Sequence, residues 1–251
     1  MTQISAVIIT FNEELNIGRC IESLISVVDE IIVIDSFSSD KTKQICSQYP
    51  VQFIQIKWMG YSETKNYGNS LAQYDYILSI DADESLSNAL QDEIKLLKTK
   101  KINSVYDINR ITNYCGKWIR HGGWFPDWKL RLFPKKYCKW NGSIVHEEIE
   151  CEINLSYIRL NGLLEHYSYY SFEQHQEKAD KYSILTAQKY FSQNKKSSLL
   201  NPILSGIARF LSMYVFKLGL LDGYSGYKIA IISAKSNYLK YKELNRLKKN
   251  N

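Results

Sequence analysis

Four apolar residues in the five from Tyr76 to Ile80 lead straight into Asp81-Ala82-Asp83-Glu84, three carboxylates broken by one alanine. Acids set this closely repel one another unless a base or a cation neutralises them, and hard oxygen ligands suit magnesium, manganese or calcium. A short apolar run ending in acids reads as a buried strand whose carboxyl end meets solvent. In open α/β sheets that edge is where ligands bind. An ion held at Asp83 against a diphosphate would make this corner a site for group transfer. Alone, Asp-x-Asp is a short pattern and acidic pairs in loops are mostly solvated; its place at a strand end gives it weight.

The flanking elements must position these acids. Ile4–Thr10 is a β-branched run ending at Phe11-Asn12-Glu13-Glu14, and Leu15, Ile17, Ile21, Leu24, Ile25 and Val28 then recur at helical spacing. Glu30–Asp35 is a second buried strand closing on an aspartate, followed by the turn-rich Ser36–Asp40 with a helix cap at Ser39 or Asp40. Val51–Ile56 is a third strand, a helix opens at Ser62 or Thr64, and Tyr76–Ile80 is the fourth strand. Strands alternating with helices imply a parallel sheet with right-handed crossovers. Thr10–Glu13, Asp35 and Asp81–Asp83 then share one edge and can face one pocket. No GxGxxG or GxxxxGK loop follows the first strand, which argues against a dinucleotide oxidoreductase and a P-loop enzyme. Phosphate would need another counter-charge, supplied by a metal on Asp83 and by Lys65.

Further on, Ser87–Lys98 is an amphipathic helix, and Ser104–Asn113 and Trp128–Phe133 alternate as strands around a loop with two tryptophans, two glycines and a proline. Ser171 and Gln174 resemble a capping box that opens a helix to about Phe191.

Charge is uneven. The chain of 251 residues carries +6 overall; Thr186 to Asn251 holds 12 Lys and Arg against two acids, a balance of +10, which leaves −4 for residues 1–185. Ile203, Ile207, Phe210, Leu211, Tyr214 and Leu218 share a helical face, and a tail with Lys240, Lys242, Arg246, Lys248 and Lys249 follows. An apolar stripe beside basic residues suits an anionic membrane surface; the other reading is a core or dimer helix with a solvated tail. No run of 18 uncharged apolar residues exists to span a bilayer, and no nucleic-acid-binding motif is recognisable. Five scattered cysteines without zinc-ligand spacing point to a reducing compartment, and no secretory leader precedes the first strand. The expectation is a cytoplasmic protein, peripheral on the cytoplasmic face of an inner membrane if the membrane-surface reading of the C-terminal region holds.

The segments AVIITFNEELNIGRCIESL, EIIVIDSFSSDKT, GYSETKNYGNSLA and ILSIDADE resemble family-two glycosyltransferases of the GT-A fold. WFPDWKLRLFPK, WNGSIVHEEI, LEHYSYYSFEQHQEKADKYS and GLLDGYSGYKIA resemble a narrower subgroup that includes lipopolysaccharide-core β-glucosyltransferases. The resemblance implies an α/β fold with a GT-A domain over 1–170, its nucleotide-sugar half at 1–98 and its acceptor half at 99–170, and a helical region at 171–251. It implies an inverting transferase that moves a hexose, glucose foremost, from a UDP-sugar to a glycan acceptor with Mn2+ or Mg2+. By position, Thr10, Phe11, Asn12, Glu13 and Asp35 fall to the nucleoside, Lys65 and Asn66 to the nucleotide, and Asp81, Ala82 and Asp83 to the ribose and the metal. Glu147, with Glu148 as second choice, falls to the general base. His146 or His166 would add a ligand to the metal. Arg131 would face the diphosphate or acceptor, and Trp124 would stack on an acceptor sugar, with packing under the sheet as its other reading. The rival classes are a sugar-phosphate nucleotidyltransferase, disfavoured because Thr10–Glu14 lacks glycine and arginine, and a non-catalytic nucleotide-sugar-binding protein.

Overall fold

The computed structural model describes residues 1–142 and 147–249. The chain divides into two compact units, Met1–Arg110 with Asp127–Tyr167, and Ile111–Pro126 with Ser168–Asn251. The Trp-rich loop that the sequence groups with the acceptor half thus belongs with the C-terminal helices.

In the first unit, β1 (Ile4–Thr10), β2 (Glu30–Asp35), β3 (Gln52–Gln55) and β4 (Tyr76–Asp81) form a parallel array in the order β3-β2-β1-β4. β1, β2 and β4 are largely apolar on both sides because helices cover both faces, while β3 at the edge is half polar. α1 (Ile17–Ile25) turns Ile17, Cys20, Ile21 and Leu24 into the core, and α3 (Tyr61–Leu71) packs on the opposite side. There Gly68 lets the helix lie against Val7 and Ile34, since a Cβ would sit 2.5 Å from Val7 Cγ1. The short α2 (Thr42–Cys46) has no side-chain cap; Asp40 instead accepts from the Thr42 N–H at 3.0 Å.

Beyond β4 the chain makes β5 (Glu84–Leu86) and α4 (Asn88–Lys98), whose cap Ser87 accepts from the Leu90 N–H. The sheet is extended by β6 (Val105–Tyr114), β8 (Trp128–Pro134) and β11 (Tyr157–Tyr169), with β8 antiparallel to β4, and a short β7 (Lys117–Ile119) pairs with the last residues of β6. Among the described residues this is a nine-stranded, mixed sheet flanked by helices, the α/β architecture the resemblance implies. A separate hairpin of β9 (Cys138–Asn141) and β10 (Glu148–Cys151) sets Cys151 opposite Cys138, and the two form a disulfide. The cysteine reading is corrected here: spacing along the chain did not reveal the pair, because the hairpin register brings it together. Cys20, Cys46 and Cys115 remain thiols.

The second unit packs α5 (Phe172–Ser192), α6 (Asn201–Leu211) and α7 (Gly223–Lys249). Ser171 caps α5 by accepting from the Gln174 N–H, as its spacing predicts. Its core gathers Tyr114, Ile119, Met213, Ile229 and Ala230. Gly226 is held in the first turn of α7 by contact, since a Cβ there would meet the Gly219 carbonyl oxygen at 1.9 Å. The basic residues near the C-terminus lie along α7 rather than in a free tail; Lys240 is partly buried over Tyr241 (5.0 Å) and Tyr190 (5.6 Å).

Candidate active site

The parallel register places Thr10 beside Asp35 and Ile9 beside Asp81, so the three polar strand ends do share one edge. The loops after β1 and β2 are stitched to each other. Asp35, fully buried, accepts from the Ser38 N–H (2.9 Å), the Ser38 hydroxyl and Gln55 Nε2 (2.8 Å). Ser38 Oγ in turn accepts from the Asn12 N–H (2.8 Å), and Asn12 Oδ1 accepts from the Ser39 N–H (2.8 Å). Asn12 takes the left-handed conformation (φ 54°), which a short polar side chain tolerates. Glu13 accepts from Asn16 Nδ2 (2.8 Å), and its N–H donates to Thr42 Oγ1 (2.9 Å). Asp35 therefore shapes the rim through Ser38 and Asn12 instead of presenting its carboxylate. What the rim does present is Phe11 and Phe37, both largely exposed, and Phe37 escaped the sequence reading. Thr10 Oγ1 is buried with no hydrogen-bond partner among the described residues.

At the end of β4 the acids separate into two roles. Asp81 has both oxygens engaged, Oδ1 by Lys65 Nζ at 3.0 Å and Oδ2 by Arg131 Nη2 at 2.8 Å. Burial opposes its ionisation, and the ammonium and guanidinium more than reverse that, holding its carboxyl well below the ordinary range. With two cations on it, Asp81 is poorly placed to be a metal ligand, which departs from the sequence expectation. Ala82, buried beside it, offers only backbone. Asp83 points elsewhere: its Oδ2 lies 3.1 Å from His166 Nε2, and both side chains are partly exposed. β11 positions this histidine, because the Tyr167 N–H donates to the Asp83 carbonyl at 2.8 Å.

Carboxylate and imidazole together suit manganese better than magnesium. Among the described residues no group of three or more His, Cys, Asp or Glu side chains could hold a metal by itself. A pair fits an ion whose remaining ligands are substrate phosphate and water, the usual arrangement where a metal serves a diphosphate. Asp83 and His166 are the residues that would hold it. The other candidate, His146, lies outside the described residues.

A cavity of about 590 Å³ opens beside Asp81, lined by Lys65, Arg131, Trp140, Glu147, Glu148 and Tyr157 among others. Lys65 is buried under its rim, 4.3 Å over the Trp140 ring, with Glu147 Oε2 3.2 Å from its Nζ. Glu148 is exposed on β10 opposite Asn141. Of the two candidate bases, Glu147 is the one brought to Lys65. Asn66, expected at the nucleotide, is spent on the hairpin: it donates to the Trp140 carbonyl (2.8 Å) and accepts from the Trp140 N–H (2.9 Å). That clamp fixes β9 against α3 and so fixes the floor of the cavity.

Arg131 is buried, which removes its solvent-facing reading. It bridges Asp81 and Glu84 Oε1 (2.7 Å), and Glu84 also meets Arg110 Nη1 (3.2 Å) and accepts from the Asp81 N–H (3.0 Å). Glu84 and Arg110 were missed; a carboxylate directly after the Asp-x-Asp run was the only signal, and nothing in spacing tied it to residues 26 and 47 positions on. Trp124 is partly buried against the core of the second unit, edge-on to Tyr114 (5.5 Å) and near His175 (5.7 Å), which favours its packing reading over stacking on an acceptor sugar. His175 and His121 are structural, on Tyr114 Oη (2.8 Å) and Asp222 Oδ1 (3.1 Å) respectively.

Buried cations around an acidic strand end, an acid–imidazole pair and a carboxylate over a cavity are parts suited to group-transfer chemistry. Sequence comparison agrees. An uncharacterized glycosyltransferase of Rickettsia typhi is 33% identical over 258 residues, spanning 98% of this chain and 88% of that protein. The lipopolysaccharide core biosynthesis glycosyltransferase LpsC of Rhizobium meliloti is 30% identical over 92% of this chain and 87% of its own. Among solved structures, glucosyl-3-phosphoglycerate synthase of Mycobacterium tuberculosis, in complex with Mn2+, UDP and glucosyl-3-phosphoglycerate, is 23% identical over 45% of this chain and 44% of that one (TM-score 0.36). Staphylococcus aureus TarS is 13% identical over 100% and 92% (TM-score 0.44). The sequence profile of glycosyl transferase family 2 matches residues 5–152, more than half of the chain. The chain belongs to glycosyl transferase family 2.

Proposed function

We propose that the protein is an inverting, metal-dependent hexosyltransferase that carries glucose from UDP-glucose to a glycan of the cell envelope, the lipopolysaccharide core foremost. The observation that carries the chemistry is the split at β4, with Asp81 neutralised by Lys65 and Arg131 while Asp83 stands against His166. The similarity to a lipopolysaccharide core enzyme along nearly the whole chain supports the acceptor class.

In this reading the stitched loops carrying Phe11, Asn12 and Ser38 receive the nucleoside. Lys65 lies between the acids of the strand end and Glu147, where its ammonium meets diphosphate charge without a glycine-rich loop. Glu147 takes the proton of the acceptor hydroxyl as that oxygen bonds the anomeric carbon. The bond from the anomeric carbon to the β-phosphate oxygen breaks on the opposite face, and the electron pair leaves with UDP. One displacement with one base inverts the anomeric centre. Asp83 and His166 would hold a divalent ion, which would supply charge to offset that developing on the departing diphosphate. Tyr157, exposed on the cavity wall, offers a face on which a sugar ring packs.

The test is UDP release from UDP-glucose, with and without a core-oligosaccharide acceptor, over a manganese titration. Asp83→Asn and His166→Ala should each weaken the apparent affinity for manganese and lower turnover. Unchanged activity in excess chelator, or in Asp83→Asn, defeats the reading. Release of pyrophosphate from a sugar phosphate and UTP would favour the nucleotidyltransferase instead.

A further inference from the structure

The second unit carries an apolar face that its own core does not use. α6 continues through a π-turn (Ser212–Phe216), a left-handed Leu218 (φ 56°) and a 3-10 turn (Gly219–Asp222) before α7 begins. Phe210 and Tyr214 pack on Tyr227, and Met213 enters the core. The stripe expected from spacing therefore splits: Ile203, Ile207, Leu211 and Leu218 stay in solvent, joined there by Leu200, Leu204 and Phe216. The exposure is not marginal: Leu199 is 87% exposed at one end and Phe216 79% at the other. A run of large apolar side chains this continuous marks an interaction surface.

Its charges identify the partner. Between Leu199 and Leu221 the only ionisable groups of strong charge are Arg209 and Lys217, both exposed. The first acid after them, Asp222, is buried and accepts from the Arg120 and His121 N–H groups. A second copy of the chain laid on this face would bring the same two cations and no acid to pair with them. A bilayer with anionic headgroups supplies apolar depth and counter-charge together. Among the described residues no single helix is long and apolar enough to cross a membrane; the pair Asn201–Phe216 and Gly219–Lys249 reaches that length and composition only together, across a 73° bend. The bend and the two exposed cations suit a segment lying along the interface rather than across it.

We propose that Leu199–Leu221 is a membrane-docking face that immerses its apolar side chains in an anionic bilayer, with Arg209 and Lys217 against lipid phosphates. The face stands independently of the transfer reaction, although a membrane-borne acceptor gives it a use.

The experiment is flotation of the full chain with vesicles of phosphatidylcholine alone or with one quarter phosphatidylglycerol, at low and high salt. Wild type should float with the anionic vesicles, less so in high salt. Leu211→Glu/Phe216→Glu should reduce partitioning about ten-fold or more, since two immersed side chains are lost and two anions added. Arg209→Gln/Lys217→Gln should reduce partitioning to the anionic vesicles about ten-fold and leave that to neutral ones unchanged. These positions are exposed, and circular dichroism is the check that the variants fold. Failure of wild type to float overturns the proposal, as does equal flotation of the glutamate variant. So does concentration-dependent dimerisation in sedimentation that the glutamate variant abolishes without vesicle binding. Loss of donor hydrolysis with flotation intact would count against the transfer reading and leave this one standing.

Discussion

Arg131→Met offers a quantitative test of how the site is held together. The guanidinium joins Asp81 at 2.8 Å and Glu84 at 2.7 Å, and only 4% of the residue is exposed. Burial disfavours its charge, and Glu84 and Asp81 more than restore it. Methionine keeps the packing volume and removes the charge. Asp81 would retain Lys65 at 3.0 Å, so the group left short is Glu84, with its side chain fully buried and only Arg110 at 3.2 Å and the Asp81 N–H at 3.0 Å. Breaking a buried pair by removing one partner costs about 3–5 kcal/mol. The surviving contacts of Glu84 place this case near the lower end, about 3 kcal/mol. For a chain of this size that is a fall of roughly 6–12 °C in melting temperature. Differential scanning calorimetry reads it directly. The companion Glu84→Met removes the opposite charge, and the double variant leaves neither ion stranded in the pair. The double should be more stable than the sum of the single losses predicts, by at least about 1 kcal/mol. A loss under about 1 kcal/mol for Arg131→Met, or strict additivity across the cycle, refutes the reasoning.

Three further outcomes follow from the same geometry. Glu147→Gln should lower kcat by about 10²–10⁴-fold with UDP-glucose and acceptor, while Glu148→Gln changes it by less than about three-fold; the reverse order would move the base to Glu148. His175, buried against Tyr114, has its pKa pushed down to about 4, first by burial and then by Lys178. The folded state then binds fewer protons than the unfolded one between about pH 4 and 6.5. Stability should fall by about 2–3 kcal/mol as pH drops through that window, a slope that His175→Phe should flatten in urea unfolding at stepped pH. Gly226→Ala drives a methyl into the Gly219 carbonyl oxygen and should cost about 2 kcal/mol or more, read as a lowered melting temperature; no change would mean that the α7 start yields freely.

Local pattern carried a definite share of this protein. The apolar runs ending in Thr10, Asp35 and Asp81, alternating with helical periods, were enough to place three polar strand ends on one edge, because parallel strands connected by helices share a direction. The Ser171 cap was legible for the same reason, since its interaction spans three residues. Tertiary structure alone decided what each acid does. Asp81 is saturated by Lys65 and Arg131, which stand 16 and 50 positions away in the chain, while Asp83, two residues on, meets His166 from β11. Asp35 turned inward because Ser38 and Gln55 reach it first, and Asn66 was diverted to the backbone of Trp140. Residue type and spacing say which side chains can ionise or ligate; the partner that arrives within hydrogen-bond distance depends on strand order and register across the sheet. That is a property of contacts between distant segments, and no local period encodes it.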